Sequence, residues 1–292
     1  WPSSDAAGAA CDALGAGGAK NLAHLHSEIS DDGKFVPRCQ ALSGMLRMLG
    51  LNRRLRSCAV VGGSGILASH PRGAEIERHE AILRVNNCPV RGFEARVGGR
   101  TTLRFVNGPR SIMWYREMTR PAPGRRKDYV PPELLDNGHV VLWASENTAS
   151  AIRRGMPSNS SVVRANTRFR RTCADKTFWS AAELDQHRSE MEAHRLEITF
   201  GFEAVAHALY SCDRVALYGF YLDPTDAKRK TNAAEGSKAM ETPYHYYENQ
   251  TYDKSAKDPW RPWTYKYHNF GLEHSKFRQL QKACWLRLVT DE

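Results

Sequence analysis

The stretch that most constrains this chain runs from Cys58 to Thr102. It opens as CAVVGGSGIL, continues through EIERHEAILRVN and closes on GFEARVGGRTT. A short apolar run enters a glycine turn, a charged helical segment follows, and a second apolar run succeeds it. That order reads as one half of a nucleotide-binding α/β unit, with strands Cys58–Gly62 and Ala81–Asn86 around a helix at Ala74–His79.

The rest of the chain repeats the alternation. Apolar strands are expected at Thr102–Val106, Val140–Ala144 and Val215–Tyr218. Helical spacing places Leu42, Met45, Leu46 and Leu49 on one face of a segment from Ala41 to Arg54, and Phe202, Val205, Ala206 and Leu209 on another after a turn at Thr199–Gly201. Further helices are expected at Ser180–His194 and Ser275–Leu288. The arginine-rich run Ser160–Thr172 reads as a solvated face or loop, and the proline-rich segment 121–132 as a surface loop. The expected fold class is therefore α/β, a single Rossmann-like parallel sheet flanked by helices. Ligands of such sheets bind beyond the carboxyl ends of the strands, where both glycine-containing turns fall. Residues 1–40 are small-residue-rich and read as a stem or loosely packed lead-in, and 41–292 as one catalytic domain.

Composition narrows the partners. The 292 residues carry 41% hydrophobic and 25% charged side chains, the balance of an ordinary globular protein. Their net charge of +10 suits an anionic small substrate, and it also admits a nucleic acid, although no nucleic-acid-binding motif accompanies it. No apolar run reaches the roughly 18 residues of a membrane span. The seven cysteines, at positions 11, 39, 58, 88, 173, 212 and 284, include no CxxC pair, which argues against a zinc site. Being odd in number, they leave at least one free or paired between chains. Sequons at Asn159 and Asn249, with the possibility of disulfides, favour a secretory-pathway lumen.

Four motifs in this order resemble those of the eukaryotic sialyltransferases. The large motif is Cys58–Thr102, and the small motif is TFGFEAVAHALYSCDRVALYGF at 199–220. The third is His245-Tyr246-Tyr247-Glu248, and the very small motif, His-x4-Glu, is His268 to Glu273. The resemblance implies a GT-A-like variant of the fold and an inverting, metal-independent transfer that needs no cofactor. The donor, as co-substrate, would be CMP-sialic acid, and the acceptor a glycoprotein or glycolipid glycan, with no role for nucleic acid. By similarity His268 is the general base that activates a sugar hydroxyl, and His245 stands at the departing phosphate. Glu273 is expected to support local structure, and His207 to be a packed helix residue without a chemical role. The donor site would draw on Gly63, Ser64, Asn86, Thr199, Phe200, Gly201 and Gly219. Cys58 and Cys212 occupy positions that the family bridges by a disulfide.

The resemblance also implies a type II membrane protein of the Golgi lumen, held by an N-terminal anchor that these residues do not include. GFEARVG and HYYEN look most like members acting on the 3-hydroxyl of galactose. Two turns depart from the common pattern: Gly63-Ser64-Gly65-Ile66 replaces Asn-Ser-Gly-Asn, and Phe200 replaces a small hydroxyl residue. Those departures leave another CMP-keto-sugar, CMP-Kdo or CMP-Kdn, open as donor. A non-catalytic glycan- or nucleotide-binding lectin of the same fold is the remaining alternative. Trp260 and Trp263 would serve a sugar face or packing equally well.

Overall fold

The computed structural model describes residues 35–120, 123–124, 130–135, 138–170, 173, 198–220, 245–247 and 270–289. Its centre is one seven-stranded sheet in the order β5-β4-β3-β2-β1-β6-β7, with every pairing parallel. The strands are β1 (Cys58–Val61), β2 (Ala81–Val85), β3 (Leu103–Val106), β4 (His139–Leu142), β5 (Val162–Arg164), β6 (Val215–Tyr218) and β7 (Arg287–Leu288). A parallel sheet needs crossover connections, and these cover both of its faces.

The pleat of β1 divides the core. Cys58 and Val60 point into the cluster that contains Phe202, Val205, Leu209 and Phe277, whereas Ala59 and Val61 meet Leu67, Ile76 and Val97. The first face is covered by α1 (Phe35–Ser43), α2 (Met45–Met48), α8 (Thr167–Phe169), α9 (Phe200–Ser211) and α10 (Phe270–Lys282). The second carries α3 (Ile66–Ser69), α4 (Gly73–Glu77), α5 (Glu94–Val97), α6 (Gly108–Thr119) and α7 (Glu146–Gly155). Every residue of α9 is buried, so it is the central helix of its layer rather than a half-exposed one.

Several expected boundaries move. The segment from Ala41 is two helices rather than one, because Gly44 takes a left-handed φ of 65° between α1 and α2. The arginine-rich run is not simply solvated: it contributes β5 and α8, and its Phe169 is fully buried. The last helix ends at Lys282, and Arg287-Leu288 pair with β6 instead of continuing it. A helix, α6, follows β3 directly. Its N-cap Asn107 accepts from the Arg110 N–H at 3.0 Å, and Pro109 lies in its first turn. The expected helix at Ser180–His194 lies outside the described residues.

Two disulfides lie on the α9 side of the sheet, both within its core cluster. Cys58 and Cys212 form the expected disulfide, with Cα atoms 6.0 Å apart, and Cys39 and Cys173 form a second, 5.6 Å apart. Cys284 is also disulfide-bonded, and among the described residues Cys88 is a free, buried thiol. Buried charge is handled by backbone as well as by side chains. Arg84, fully buried on β2, donates to the carbonyls of Val97 at 2.8 Å and Arg100 at 2.7 Å, and to the Thr101 hydroxyl at 3.0 Å. It thereby pins the loop that enters β3. His207 sits at 3% exposure between Phe169 and Phe105, with Nδ1 2.8 Å from the Ser43 hydroxyl. Burial pulls its pKa down to about 3, so it is a neutral packing residue, as its place on α9 implies.

Candidate active site

The chain leaves β1 to build β2–β5 on one side and returns to β6 on the other, so the β1–β6 pair is the switch point of the sheet. In such sheets the ligand crevice opens at the carboxyl ends of the strands that flank this point. Gly62-Gly63-Ser64 leave β1 there, Asn86 leaves β2 and Gly219 leaves β6. The first and last of these turns pack backbone on backbone. Gly62 N–H donates to the Tyr218 carbonyl at 2.8 Å, and Ser64 N–H to the Gly219 carbonyl at 3.2 Å. Gly219 has a φ of 67°, and a side chain there would start 2.5 Å from a Leu67 methyl. Both facts require glycine at this position. The Ser64 hydroxyl accepts loosely from Ile66 N–H at 3.4 Å, which leaves its own hydrogen to donate.

Asn86 is held in an unusual backbone state for a purpose that its bonds explain. Its φ is 55°, a left-handed conformation that asparagine tolerates better than most residues. Its N–H donates to Phe105 O at 2.7 Å, and its side-chain Oδ1 accepts from Asn107 N–H at 3.1 Å. The carbonyl accepts from Arg104 Nη1 at 2.9 Å. With the amide oxygen engaged, the Asn86 Nδ2 group is the donor that this turn presents. Arg104, 1% exposed, also donates to Cys88 O at 3.0 Å and so fixes the turn from beneath. Sequence reasoning missed Arg104. The available signal was a charged residue inside an otherwise apolar strand, in direct register with Arg84.

The Thr199–Gly201 turn is the N-terminus of α9. Thr199 is the N-cap, its Oγ1 accepting from Phe202 N–H at 3.0 Å. The same hydroxyl donates to Glu273 Oε2 at 2.7 Å, and Thr199 N–H donates to Glu273 Oε1 at 2.7 Å. The Thr199 side chain is thus committed to structure, and the backbone N–H groups of the first turn are what α9 offers an anion. Phe200 also faces inward. Its ring stands edge-on to Trp143, with centroids 6.2 Å apart, and the Arg170 guanidinium lies over both rings. Gly201 faces the ring of Phe220, the residue after Gly219, which brings this turn to the same edge of the sheet.

Glu273 therefore ties α10 to the start of α9, the supporting role expected of it. Burial pushes its carboxyl up to about 7, outweighing the two Thr199 hydrogen bonds and the Arg170 charge, which pull the other way. An acid with a raised folded pKa holds a proton that the unfolded chain releases. Its contribution to stability is thus full below the unfolded value of 4.5 and is lost as pH rises to about 7. Glu273→Gln cannot ionise. The stability of the native protein relative to this variant should fall by about 3 kcal/mol between pH 4.5 and pH 7.5. Denaturant melts of both proteins at the two pH values measure that difference, and a constant difference refutes the assignment.

His245 reaches this edge from far along the chain. It forms an isolated antiparallel bridge with Ser64, and Tyr246 N–H donates to Gly63 O at 3.1 Å. The third-motif histidine and the glycine turn of the large motif are thereby in backbone contact. His268, Trp260 and Trp263 lie outside the described residues. Among the described residues no group of three or more His, Cys, Asp or Glu is placed to hold a metal ion, and no helix is long and apolar enough to cross a membrane.

Comparison with known proteins bears on this geometry. The model of glycosyltransferase family 29 (sialyltransferase) matches residues 36–284. Sialyltransferase-like protein 2 of Oryza sativa subsp. indica is 30% identical over 238 residues, covering 74% of this chain and 54% of that protein. The Homo sapiens CMP-N-acetylneuraminate-beta-1,4-galactoside alpha-2,3-sialyltransferase is 26% identical over 243 residues, 82% of this chain and 57% of that protein. The chain spans about half the length of the curated relatives it matches. A crystal structure of a mammalian sialyltransferase aligns with a TM-score of 0.49 at 19% identity, over 94% of this chain and 85% of that one. A match that runs through both long motifs and nearly the whole described sheet leaves one assignment: the chain belongs to glycosyltransferase family 29, the sialyltransferases.

Proposed function

We propose that this chain transfers sialic acid from CMP-sialic acid to a glycan hydroxyl, that of terminal galactose, with inversion and without a metal. The observation that carries the reading is the convergence of Gly63, Ser64, Asn86, Gly201 and Gly219 at one edge of the sheet, with His245 paired to Ser64. Backbone N–H groups of the α9 first turn, the Asn86 amide and the Ser64 hydroxyl are neutral donors, suited to a donor phosphodiester whose CMP product must then be released.

In a single displacement the acceptor oxygen attacks the anomeric carbon from one face. The bond to the CMP phosphate breaks on the other, and its electron pair passes to the phosphate oxygen. His268 takes the hydroxyl proton as general base. His245 donates a hydrogen bond to the phosphate as negative charge develops on it. A family named for sialyl transfer and a galactoside named in one relative support the donor and acceptor. Two disulfides among the described residues support an oxidising compartment; the Golgi lumen and a type II membrane anchor rest on the family.

The test offers CMP-sialic acid, CMP-Kdo and CMP-Kdn separately, with and without a terminal galactoside, and measures released CMP. The expected result is galactoside-dependent release from CMP-sialic acid, with an inverted product. Release from CMP-Kdo or CMP-Kdn instead replaces the donor assignment. Release from any of the three excludes a non-catalytic lectin, and none from all three, with glycan or CMP still bound, favours it.

A further inference from the structure

The geometry points to Tyr247 as the residue that positions the His245 imidazole, and to the buried Cys88 side chain as the anchor that holds Tyr247. This rests on the reading of His245 as the group at the departing phosphate.

The backbone of the His245 segment is held from several sides. Besides the bridge to Ser64, Arg96 Nη1 donates to Tyr246 O at 3.2 Å, the Tyr246 hydroxyl donates to Pro89 O, and Phe93 meets the Tyr246 ring edge-on at 5.4 Å. None of these contacts sets the plane of the imidazole. The terminal torsion of histidine is broad, so backbone contacts alone do not fix the direction of its N–H groups. Tyr247 constrains the ring itself. Its ring lies parallel to that of His245, with centroids 4.9 Å apart and 9° between planes. An aromatic face stacked on an imidazole favours one ring plane, and more so when the imidazole carries charge.

Tyr247 needs an anchor of its own, and the loop after β2 provides it. Its side chain hydrogen-bonds the thiol of Cys88, which is 5% exposed. Burial raises that thiol to about 11, so it remains a neutral partner at physiological pH. The Cys88 carbonyl is fixed by Arg104, the same guanidinium that holds Asn86. Gly63 shows how closely the parts meet: a side chain there would begin 2.9 Å from both Cys88 Sγ and His245 Cδ2. Donor turn, thiol and imidazole thus share one point of backbone.

The test is steady-state kinetics of the whole chain with CMP-sialic acid and a galactoside, together with CMP binding. Tyr247→Ala should lower kcat by about 100-fold while the donor KM stays within about threefold, because placement rather than binding is lost. Cys88→Ala should lower kcat several-fold, and Cys88→Ser, which restores a hydrogen-bonding partner, should recover most of it. The decisive comparison is the double variant His245→Gln, Tyr247→Ala. If Tyr247 acts through His245, the double variant is as slow as His245→Gln alone, within about twofold. Losses that multiply overturn the positioning role and leave the reading of His245 standing. A His245→Gln enzyme with native turnover overturns both. Should Tyr247→Ala fail to fold, Tyr247→Phe and Cys88→Ala serve instead. A double variant no slower than the slower single supports the linkage, and independent or absent effects overturn it.

Discussion

Replacing Cys58 and Cys212 together with serine is expected to destabilise the fold by about 5 kcal/mol and to leave turnover of the folded enzyme unchanged. The magnitude follows from the 154-residue separation of the two cysteines, which the bond removes from the freedom of the unfolded chain. The second half of the expectation follows from where the bond sits. Cys58 is the first residue of β1 and Cys212 ends α9 just before β6, so the bridge lies at the amino edge of the sheet. The turns proposed to bind the donor lie at the opposite, carboxyl edge. For a domain of this size the loss corresponds to a fall in Tm of roughly 10–20 °C. Thermal melts, with kinetics measured well below the transition, test both halves. An unchanged Tm refutes the stabilising role, and a kcat that falls with full folding places the bond's influence at the site.

His268→Ala is expected to abolish transfer and to keep CMP affinity within about tenfold. A sugar hydroxyl is a weak nucleophile near neutral pH, and a positioned base contributes about 10²–10⁴-fold. The proposed CMP contacts lie on other elements: the turns after β1, β2 and β6 and the first turn of α9. His268 precedes α10 by two residues, and the Thr199–Glu273 bonds fix α10 without it. Single-turnover transfer alongside CMP titration separates the two quantities. Turnover within tenfold of the native enzyme removes His268 from the base role, and loss of CMP binding shows a structural role instead.

The parts of the fold that could be read from sequence are those with one dominant cause. β1, β2, β3, β4 and β6 lie inside a parallel sheet and are buried on both faces, so they read as apolar runs. β5 and β7 are edge strands of three and two residues, too short for a period of two to register. Arg287-Leu288 was absorbed into the preceding helix because Phe277, Leu280 and Leu286 continue an apolar series across the turn at Cys284. Likewise nothing in the helical spacing of Leu42, Met45 and Leu46 marks the break that a left-handed Gly44 introduces.

The candidate site divides the same way. Gly63, Gly219 and Thr199 were legible as turn and helix-start residues because turns and caps demand particular residue types locally. Arg104, Cys88 and Tyr247 were not. Their roles arise from contacts made across the chain, such as the bond between Tyr246 and Pro89 over 157 positions, for which no local spacing exists. Phe200 looked like a change in the donor pocket, yet its ring packs against Trp143 inside the core.

The placement of β1 beside β6 has a consequence for biogenesis. Strand β1, inside the sheet, must wait for β6, which begins only after Cys212, itself 154 residues beyond Cys58. At ribosomal rates that interval is on the order of ten seconds or more. Throughout it, Cys58-Ala59-Val60-Val61 presents an unpaired, wholly apolar edge and an unpartnered thiol. Topology of this kind gives high contact order and slow folding, and it leaves the unpaired edge and thiol exposed for longer. The strand pair at the switch point of the sheet, where the donor site is proposed, is therefore also the pairing most exposed to misassembly.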